Sequence, residues 1–374
     1  MRRQKVLALV CWIASLAPAA RARESVVYAI TTSETQPGAA VSKMLVFKTE
    51  IFGVDPDTGK QRLVFSDAKA PFFLLTGAIV AAGGRIFAEG IERNSVPTGK
   101  PAFLAPEAVY ELSTDGSGKA RKVFDMESGE RRVDFSSLFF NSAGSEVGNI
   151  SFVDGNAYLF IRDTETGKLL KKSELIGWRF GSGEKFGWMP DDKRIFFTEA
   201  FPGVESPEAL WTTPGSLVGT YVLGENGATA GRLAPEAELH PKIAGMEPSK
   251  ESPAFLIGTL PDGGLLLHDH QSGPAGGGVY LYELDRGKKT QRVFPLQAEG
   301  NADVFHLSRS GERLVFAGMR TRPMSQFRLA AIGSVWLMEL KSGEQRRLLS
   351  FPAQEETRGV GDPRIHLIGW LEDK

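Results

Sequence analysis

Residues Asp303–Phe351 read DVFHLSRSGERLVFAGM, then a polar stretch, then GSVWLMELKSGEQRRLLSF. Tight polar turns at Arg309–Glu312 and Lys341–Gln345 separate short apolar runs, which predicts an antiparallel meander of four strands. The four runs are Val304–Ser308, Arg313–Gly318, Ser334–Leu340 and Arg346–Phe351. We expect the rest of the chain to repeat this unit with altered loops.

The turn of the second hairpin recurs along the chain. Asp, Asn and Gly fill each copy, as tight hairpins require because their backbones adopt positive φ or bond to short polar side chains. Subtracting successive positions gives intervals of 57, 51, 60, 60 and 56 residues. The repeated glycines are Gly59, Gly116, Gly167, Gly227, Gly287 and Gly343. Six copies at this spacing predict six similar units.

The strands that precede these turns are nearly continuous in apolar residues, as in Val335-Trp336-Leu337-Met338. A strand reads this way when both of its faces are buried. Packing of each sheet between two neighbouring sheets provides that double burial.

The first hairpin also recurs. Trp188–Phe197 aligns without gaps on Leu307–Phe316, and further copies lie at Leu260–Leu267 and Ala81–Phe87. These residues resemble the W-S-P-D-G-K-x-I-A-F repeat of TolB-like β-propellers, which are distantly similar to WD-repeat propellers. The resemblance covers nearly all of the chain after the first residues. It implies an all-β, six-bladed β-propeller of four-stranded antiparallel blades, and it implies protein–protein contacts in the cell envelope.

The two ends of the repeat region complete one hairpin. Trp370–Lys374 matches the first half of the motif, and Glu24–Tyr28 matches the second half. We therefore expect the last strand to become the innermost strand of the first blade and to close the ring. In the third blade, Phe135–Leu175, the segment Phe152–Asn156 is either the first turn or the second.

The first 22 residues have the pattern of a signal peptide. Arg2, Arg3 and Lys5 precede an apolar stretch, Val6–Ala17, and Ala20-Arg21-Ala22 is a small-x-small cleavage site. We expect residues 23–374 to form a single propeller domain in the periplasm or outside the cell; a retained anchor is the alternative. After cleavage no cysteine remains, because the single Cys lies in the removed segment.

The charge of the chain excludes one class of partner. It has 44 Lys+Arg and 45 Asp+Glu, a formal net charge of -1. Without a basic field there is no basis for nucleic-acid binding by counterion release. No membrane span is expected once the signal is removed. The partner is therefore expected to be another envelope or extracellular protein, or a small polar ligand.

Long insertions fall on one side of the expected disc, at the second–third loops and the links between blades. They are Ser33–Phe47, Glu92–Pro106, Pro202–Gly215, Arg232–Pro253 and Gly318–Gly333. Binding residues concentrate on loops held by a rigid scaffold, although surface loops also lengthen at little cost. Arg320, Arg322 and Arg328 lie among apolar residues, a composition favoured at protein interfaces. Trp211 is either an interface anchor or a lid on its blade.

Polar residues on the innermost strands define a second candidate region. Asp303, Glu184 and His366 occupy equivalent positions of different blades, and His306 lies nearby. They are candidate ligand-binding residues at the channel mouth, able to hold a cation or a polar ligand. Filling by water is the alternative. No other cofactor and no catalytic residue is predicted, since the chain has no G-x-S-x-G nucleophile motif. His268-Asp269-His270 resembles a metal pair, but no third ligand lies at a suitable spacing, so we expect a solvated or hydrogen-bonded strand end instead.

Two functions follow from these expectations. The first is a non-catalytic binding platform that uses the long-loop side of the propeller. The alternative is a propeller hydrolase, lactonase-like or sugar-acting, with a polar or metal site in the channel. It requires Asp303, Glu184, His306 and His366 to converge.

Overall fold

A computed structural model describes most of the chain from Glu24 to Glu372. The described residues are 24–35, 45–93, 108–126, 131–132, 138–153, 156–174, 186–188, 194–199, 217–222, 234–235, 254–262, 264–269, 278–283, 288–298, 301–324, 327–351 and 364–372. The predicted signal segment lies outside them. No helix among these residues has the length and hydropathy needed to cross a membrane.

The described secondary structure is almost entirely β. One short 3-10 turn, Asp67–Lys69, is the exception. The strands are β1 Glu24–Thr35, β2 Leu45–Val54, β3 Gln61–Ser66, β4 Phe72–Ala82, β5 Arg85–Glu92, β6 Ala108–Leu112, β7 Ala120–Asp125, β8 Arg131–Arg132, β9 Phe139–Phe140, β10 Glu146–Val153, β11 Asn156–Asp163, β12 Leu169–Glu174, β13 Phe186–Trp188, β14 Arg194–Glu199, β15 Leu217–Val222, β16 Ala234–Pro235, β17 Ala254–Thr259, β18 Leu265–Asp269, β19 Gly278–Glu283, β20 Lys288–Pro295, β21 Asn301–Leu307, β22 Arg313–Met324, β23 Phe327–Glu339, β24 Gln345–Ser350 and β25 Arg364–Glu372.

These strands form six antiparallel sheets, as the repeats predict. From the inside outwards, blade 1 is β25-β1-β2-β3, blade 2 is β4-β5-β6-β7, blade 4 is β13-β14-β15-β16, blade 5 is β17-β18-β19-β20 and blade 6 is β21-β22-β23-β24. Blade 3 has the order β10-β11-β12 and a broken first strand, since β8 and β9 both pair with β10. The connection at Val153–Asn156 joins β10 to β11, so it is the second turn of blade 3.

The chain ends close the ring. Strand β25 pairs antiparallel with β1 from Glu24↔Glu372 to Thr31↔Arg364. The last strand is thus the innermost strand of blade 1, which confirms the expectation drawn from the split hairpin. Closure removes the exposed sheet edges that an open array of blades carries.

Contacts join every pair of neighbouring blades around the ring. Two are hydrogen bonds: Gly116 N to Val64 O at 2.9 Å between blades 1 and 2, and Thr259 Oγ1 to Trp188 O at 3.5 Å between blades 4 and 5. The other four are contacts between rings, with these centroid distances: Phe87–Phe140 at 4.4 Å between blades 2 and 3, Phe139–Trp188 at 6.4 Å between blades 3 and 4, His268–Phe305 at 4.4 Å between blades 5 and 6, and Tyr28–Phe351 at 5.6 Å between blades 6 and 1. The protein is a six-bladed β-propeller.

The core lies between the blades. In β1, Val26 and Tyr28 pack against blade 6, whereas Val27 and Ala29 pack against blade 2. The same alternation occurs in blade 6, where Leu337 faces blade 1 and Met338 faces blade 5. Successive side chains of a strand point to opposite faces, so a central strand buried on both sides needs the continuous apolar runs seen in the sequence.

The first–second and third–fourth turns lie on one face of the disc, here named the turn face; the opposite side is the loop face. The repeated glycines of the turn face have positive φ wherever they are described: 71° at Gly59, 78° at Gly116, 70° at Gly167 and 73° at Gly343. At Gly167 an added Cβ would lie 2.2 Å from the carbonyl oxygen of Val123 in blade 2. Glycine is required there both for its φ and for the close approach of two blades.

Candidate functional site

The second–third connections of blades 1 and 6 project from the loop face as two-stranded ribbons. In blade 6, β22 and β23 remain paired from Met319↔Ile332 to Met324↔Phe327. In blade 1, β1 and β2 remain paired from Thr32↔Lys48 to Thr35↔Leu45. We name residues 320–331 the blade-6 ribbon and residues 32–48 the blade-1 ribbon, of which residues 36–44 lie outside the described part. Blades 6 and 1 are neighbours, so the two ribbons extend from adjacent blades of the loop face.

The blade-6 ribbon corrects the prediction of a long irregular loop at Gly318–Gly333. The backbone stays in strand conformation on both sides and leaves only residues 325–326 undescribed between the strands. The sequence MRTRPM lacks the apolar alternation by which strands are recognised, so strand pairing here was not visible from the sequence.

Arg320 lies at the base of this ribbon. Its Nη1 donates to the carbonyl oxygen of Phe351 at 3.3 Å. Its side chain occupies the space beside Gly333, where an added Cβ would lie 2.6 Å from it. Arg320 therefore fastens the ribbon to its own blade.

The other interface candidates lie farther out or outside the described residues. Arg322 pairs in register with Leu329, and Arg328 pairs with Pro323. The structure thus collects three predicted arginines in one ribbon. Trp211 is outside the described part, as are the predicted insertion Pro202–Gly215 and most of the insertions Arg232–Pro253 and Glu92–Pro106.

The base of the blade-1 ribbon is fixed by a buried carboxylate that the sequence analysis missed. Asp67 accepts hydrogen bonds from Thr49 N at 2.8 Å through Oδ1 and from Leu74 N at 3.4 Å through Oδ2. These bonds join blade 1 to blade 2. Burial raises the pKa of the Asp67 carboxyl, although both backbone hydrogen bonds and Arg93 act in the opposite direction. Asp is common after strands, where it serves in turns as well as in buried hydrogen bonds, so its position in the sequence does not predict this role.

The turn face has a different character, because its side chains hold blades to one another. Arg85 donates to Thr164 Oγ1 at 2.7 Å and forms an ion pair with Glu165 at 2.6 Å, both in blade 3. At the boundary between blades 6 and 1, Arg313 of blade 6 pairs with Asp57 of blade 1 at 3.3 Å. In the described turns, these polar side chains join neighbouring blades and so stabilise the ring.

In the channel region, His366 lies on β25 opposite Ala29, a residue of the core between blades 1 and 2. Its Nε2 is buried and has no hydrogen-bond partner within the described structure. Burial, helped by the nearby positive charge of Arg364, lowers the pKa of His366. The imidazole is therefore held in its neutral form, which can donate or accept a hydrogen bond or bind a metal.

His306 takes part in bonds that join blade 6 to blade 1. Its Nε2 lies 3.3 Å from the carbonyl oxygen of Leu367, and its own carbonyl oxygen accepts from Trp370 Nε1 at 3.0 Å. An added Cβ at Gly369 would lie 3.1 Å from its Nδ1. Both bonds cross from blade 6 to blade 1.

Asp303 is exposed, and its Oδ1 accepts the backbone N–H of Val304 at 2.7 Å. Val304 has φ of +51°, which is uncommon for a β-branched residue, at a break in the β21–β22 register. Glu184 lies outside the described residues. Within the described part no three or more His, Cys, Asp or Glu side chains gather closely enough to hold a metal ion. His268 is buried against the ring of Phe305, and the predicted pair partner His270 is not described.

Comparison with known proteins shows likeness of fold only. No family model matches the chain, and no curated protein matches it. Among solved structures, TolB from Acinetobacter baumannii is 13% identical over 92% of this chain and 66% of that chain, with a TM-score of 0.46. The periplasmic gluconolactonase PpgL of Pseudomonas aeruginosa is 13% identical over 92% of this chain and 86% of that chain, with a TM-score of 0.45. A putative 6-phosphogluconolactonase from Bacteroides fragilis is 12% identical over 94% of this chain and 99% of that chain, with a TM-score of 0.42.

Proposed function

We propose that this propeller is a non-catalytic binding platform of the periplasm or the extracellular space, which holds another protein on its loop face. The observation that carries the proposal is the contrast between the two faces. Two neighbouring blades extend ribbons from the loop face. The turn face instead uses its polar groups in bonds between blades. A rigid scaffold with projecting elements on one side is suited to recognition.

Site-directed cross-linking in the native envelope or secreted fraction tests the proposal. A photoreactive amino acid at position 322 or 46 lies in a ribbon, and one at position 60 or 168 lies on the turn face. We expect a defined cross-linked adduct from the ribbon positions only. Adducts from the turn face alone, or from all four positions equally, would contradict the proposal. Cell fractionation with an antibody to the chain tests the localisation.

A second candidate is the channel hydrolase, lactonase-like or sugar-acting. It is favoured by one observation: on an innermost strand, the Nε2 atom of His366 is buried without a hydrogen-bond partner in the described part, and burial lowers the pKa of this imidazole. Metal analysis of protein purified without chelator, with thermal melts before and after chelation, tests it. A stoichiometric ion whose removal lowers the melting temperature would favour this candidate. If no ion is found and chelation leaves the melting temperature unchanged, the binding platform remains the favoured function.

A further inference from the structure

We propose that the blade-6 ribbon binds an acidic, extended segment of the partner protein, which adds as a further strand along the outer edge of β23. The inference rests on the proposed function and names the chemistry of its partner. It is carried by the pairing of the ribbon, by its charge and by the position of one proline.

The ribbon offers strand edges. Strand β24 pairs with β23 only as far as Ser334↔Ser350, and Phe351 N closes the ladder on Gly333 O at 2.9 Å. On the inner side, the pairing of β21 with β22 ends at Asn301↔Met319. Beyond these points no described strand pairs with either side of the ribbon. Unpaired strand edges bind extended segments through main-chain hydrogen bonds.

One edge is better suited than the other. Pro323 has no backbone N–H and interrupts the donors of β22. Strand β23 has no proline between Phe327 and Ile332, so each residue there has a donor and an acceptor. An added strand on this side would also continue the line of β24. The outer edge of β23 is therefore the edge we assign.

The charge of the ribbon selects the partner. Between Glu312 and Glu339 the chain has no acidic residue, whereas Arg320, Arg322 and Arg328 all lie in the ribbon. The whole chain has a formal net charge of -1, so this is a local concentration of positive charge. Arginine binds carboxylates through paired hydrogen bonds. Apolar residues at neighbouring positions, Met324, Phe327 and Leu329, suit a segment in which acidic and apolar residues alternate.

A second copy of this chain is a poorer occupant. Pairing two identical ribbons edge to edge places arginine near arginine, and like charges on facing strands destabilise a sheet. An anionic membrane would use the arginines but would leave the strand edges without hydrogen-bond partners.

Selection from a phage-displayed library of linear 12-residue peptides on the mature protein tests the inference. We expect the enriched peptides to alternate Asp or Glu with β-branched or aromatic residues. The double variant Arg322→Glu/Arg328→Glu should weaken their binding at least tenfold, whereas the control Lys60→Glu/Lys168→Glu, two exposed lysines of the turn face, should leave it unchanged. Arg320 is kept in both proteins because it fastens the ribbon.

Two shortened proteins separate this inference from the proposed function. In one, an Asn-Gly turn joins Met319 directly to Ile332; in the other, the same turn joins Thr32 to Lys48. Loss of acidic-peptide binding only in the first supports the inference. Loss only in the second overturns the inference and keeps the platform, and loss in neither overturns both. Failure to enrich acidic peptides, a ribbon-dependent dimer in sedimentation, or ribbon-dependent binding only to vesicles containing phosphatidylglycerol would also overturn it.

Discussion

The indole Nε1 of Trp370 donates a hydrogen bond to the backbone carbonyl oxygen of His306 at 3.0 Å. The imidazole of His306 returns a bond to the strand that carries Trp370, through the carbonyl oxygen of Leu367 at 3.3 Å. Blade 6 and the last strand of the chain are thus joined by a reciprocal pair of side-chain-to-backbone bonds, at the place where the ring closes.

Trp370→Phe removes the indole donor and leaves the His306 carbonyl without it. This bond is partly buried, and a typical intramolecular hydrogen bond contributes about 0.5–1.5 kcal/mol, so we expect the free energy of unfolding in urea to fall by about that amount. Trp336→Phe is the control, because that indole bonds to Ser334 within blade 6. Hydrogen exchange should rise in Arg364–Glu372 for the first variant and not for the second. Equal exchange in both would show that the bond does not fasten the ring.

Gly167→Ala tests the seam between blades 2 and 3. Both Gly167 and Gly59 have φ near +70°, but an added Cβ at Gly167 meets the Val123 carbonyl at 2.2 Å, whereas at Gly59 nothing lies within 4 Å. An L-residue with positive φ costs about 1 kcal/mol at either position. We expect Gly59→Ala to lose only this amount and Gly167→Ala to lose clearly more. Thermal unfolding of both variants gives the comparison.

Asp67→Ala leaves the backbone N–H groups of Thr49 and Leu74 without their buried acceptor. Two unsatisfied donors cost about 2–6 kcal/mol together, so we expect a large loss of stability. Asp67→Asn keeps one acceptor and should lose less. The folded pKa of this carboxyl is raised, so its ionisation opposes folding. Its contribution to stability is therefore largest at low pH and declines as pH rises from about 3.8 through the folded pKa. A wild-type curve that gains more stability than the Asn variant over that window would contradict this assignment.

The lowered pKa of His366 predicts a second dependence of stability on pH, opposite in direction to that of Asp67. Its folded pKa lies below the usual 6.5 because burial and Arg364 disfavour the imidazolium. The stability it contributes is complete above about pH 6.5 and is lost as pH falls through the folded pKa. Among the strands that pack near His366, β4 has no acidic residue. Strand β1 carries Glu24, Tyr28 and Glu34, and β21 carries Asp303 and His306. His366→Leu should flatten the dependence of the melting temperature on pH between pH 6.5 and pH 5; an unchanged slope would show that His366 does not cause this dependence.

The architecture was predictable because it depends on features repeated six times. Spaced turn glycines, doubly buried strands and a hairpin divided between the two ends each imply the ring independently. The ribbon around Arg322 was not predictable in the same way, because its strands bury no regular apolar face and their pairing depends on register rather than on composition. The bond between the His306 ring and the Leu367 carbonyl was not predictable either, because a sequence carries no sign of which backbone carbonyls a bulged strand leaves available. Glu184 and Trp211 stay predictions, since both lie outside the described residues.

The pairing of Glu24 with Glu372 places the two ends of the described chain next to each other. Arg309, in a turn of the turn face, bonds to Glu372 at 2.9 Å, so both ends of the described chain lie on that face. Strand β1 then crosses the disc and enters the blade-1 ribbon. Anything joined to either end, such as an anchor, a tag or a solid support, would therefore attach the propeller through its turn face. Both ribbons would then point away from the attachment.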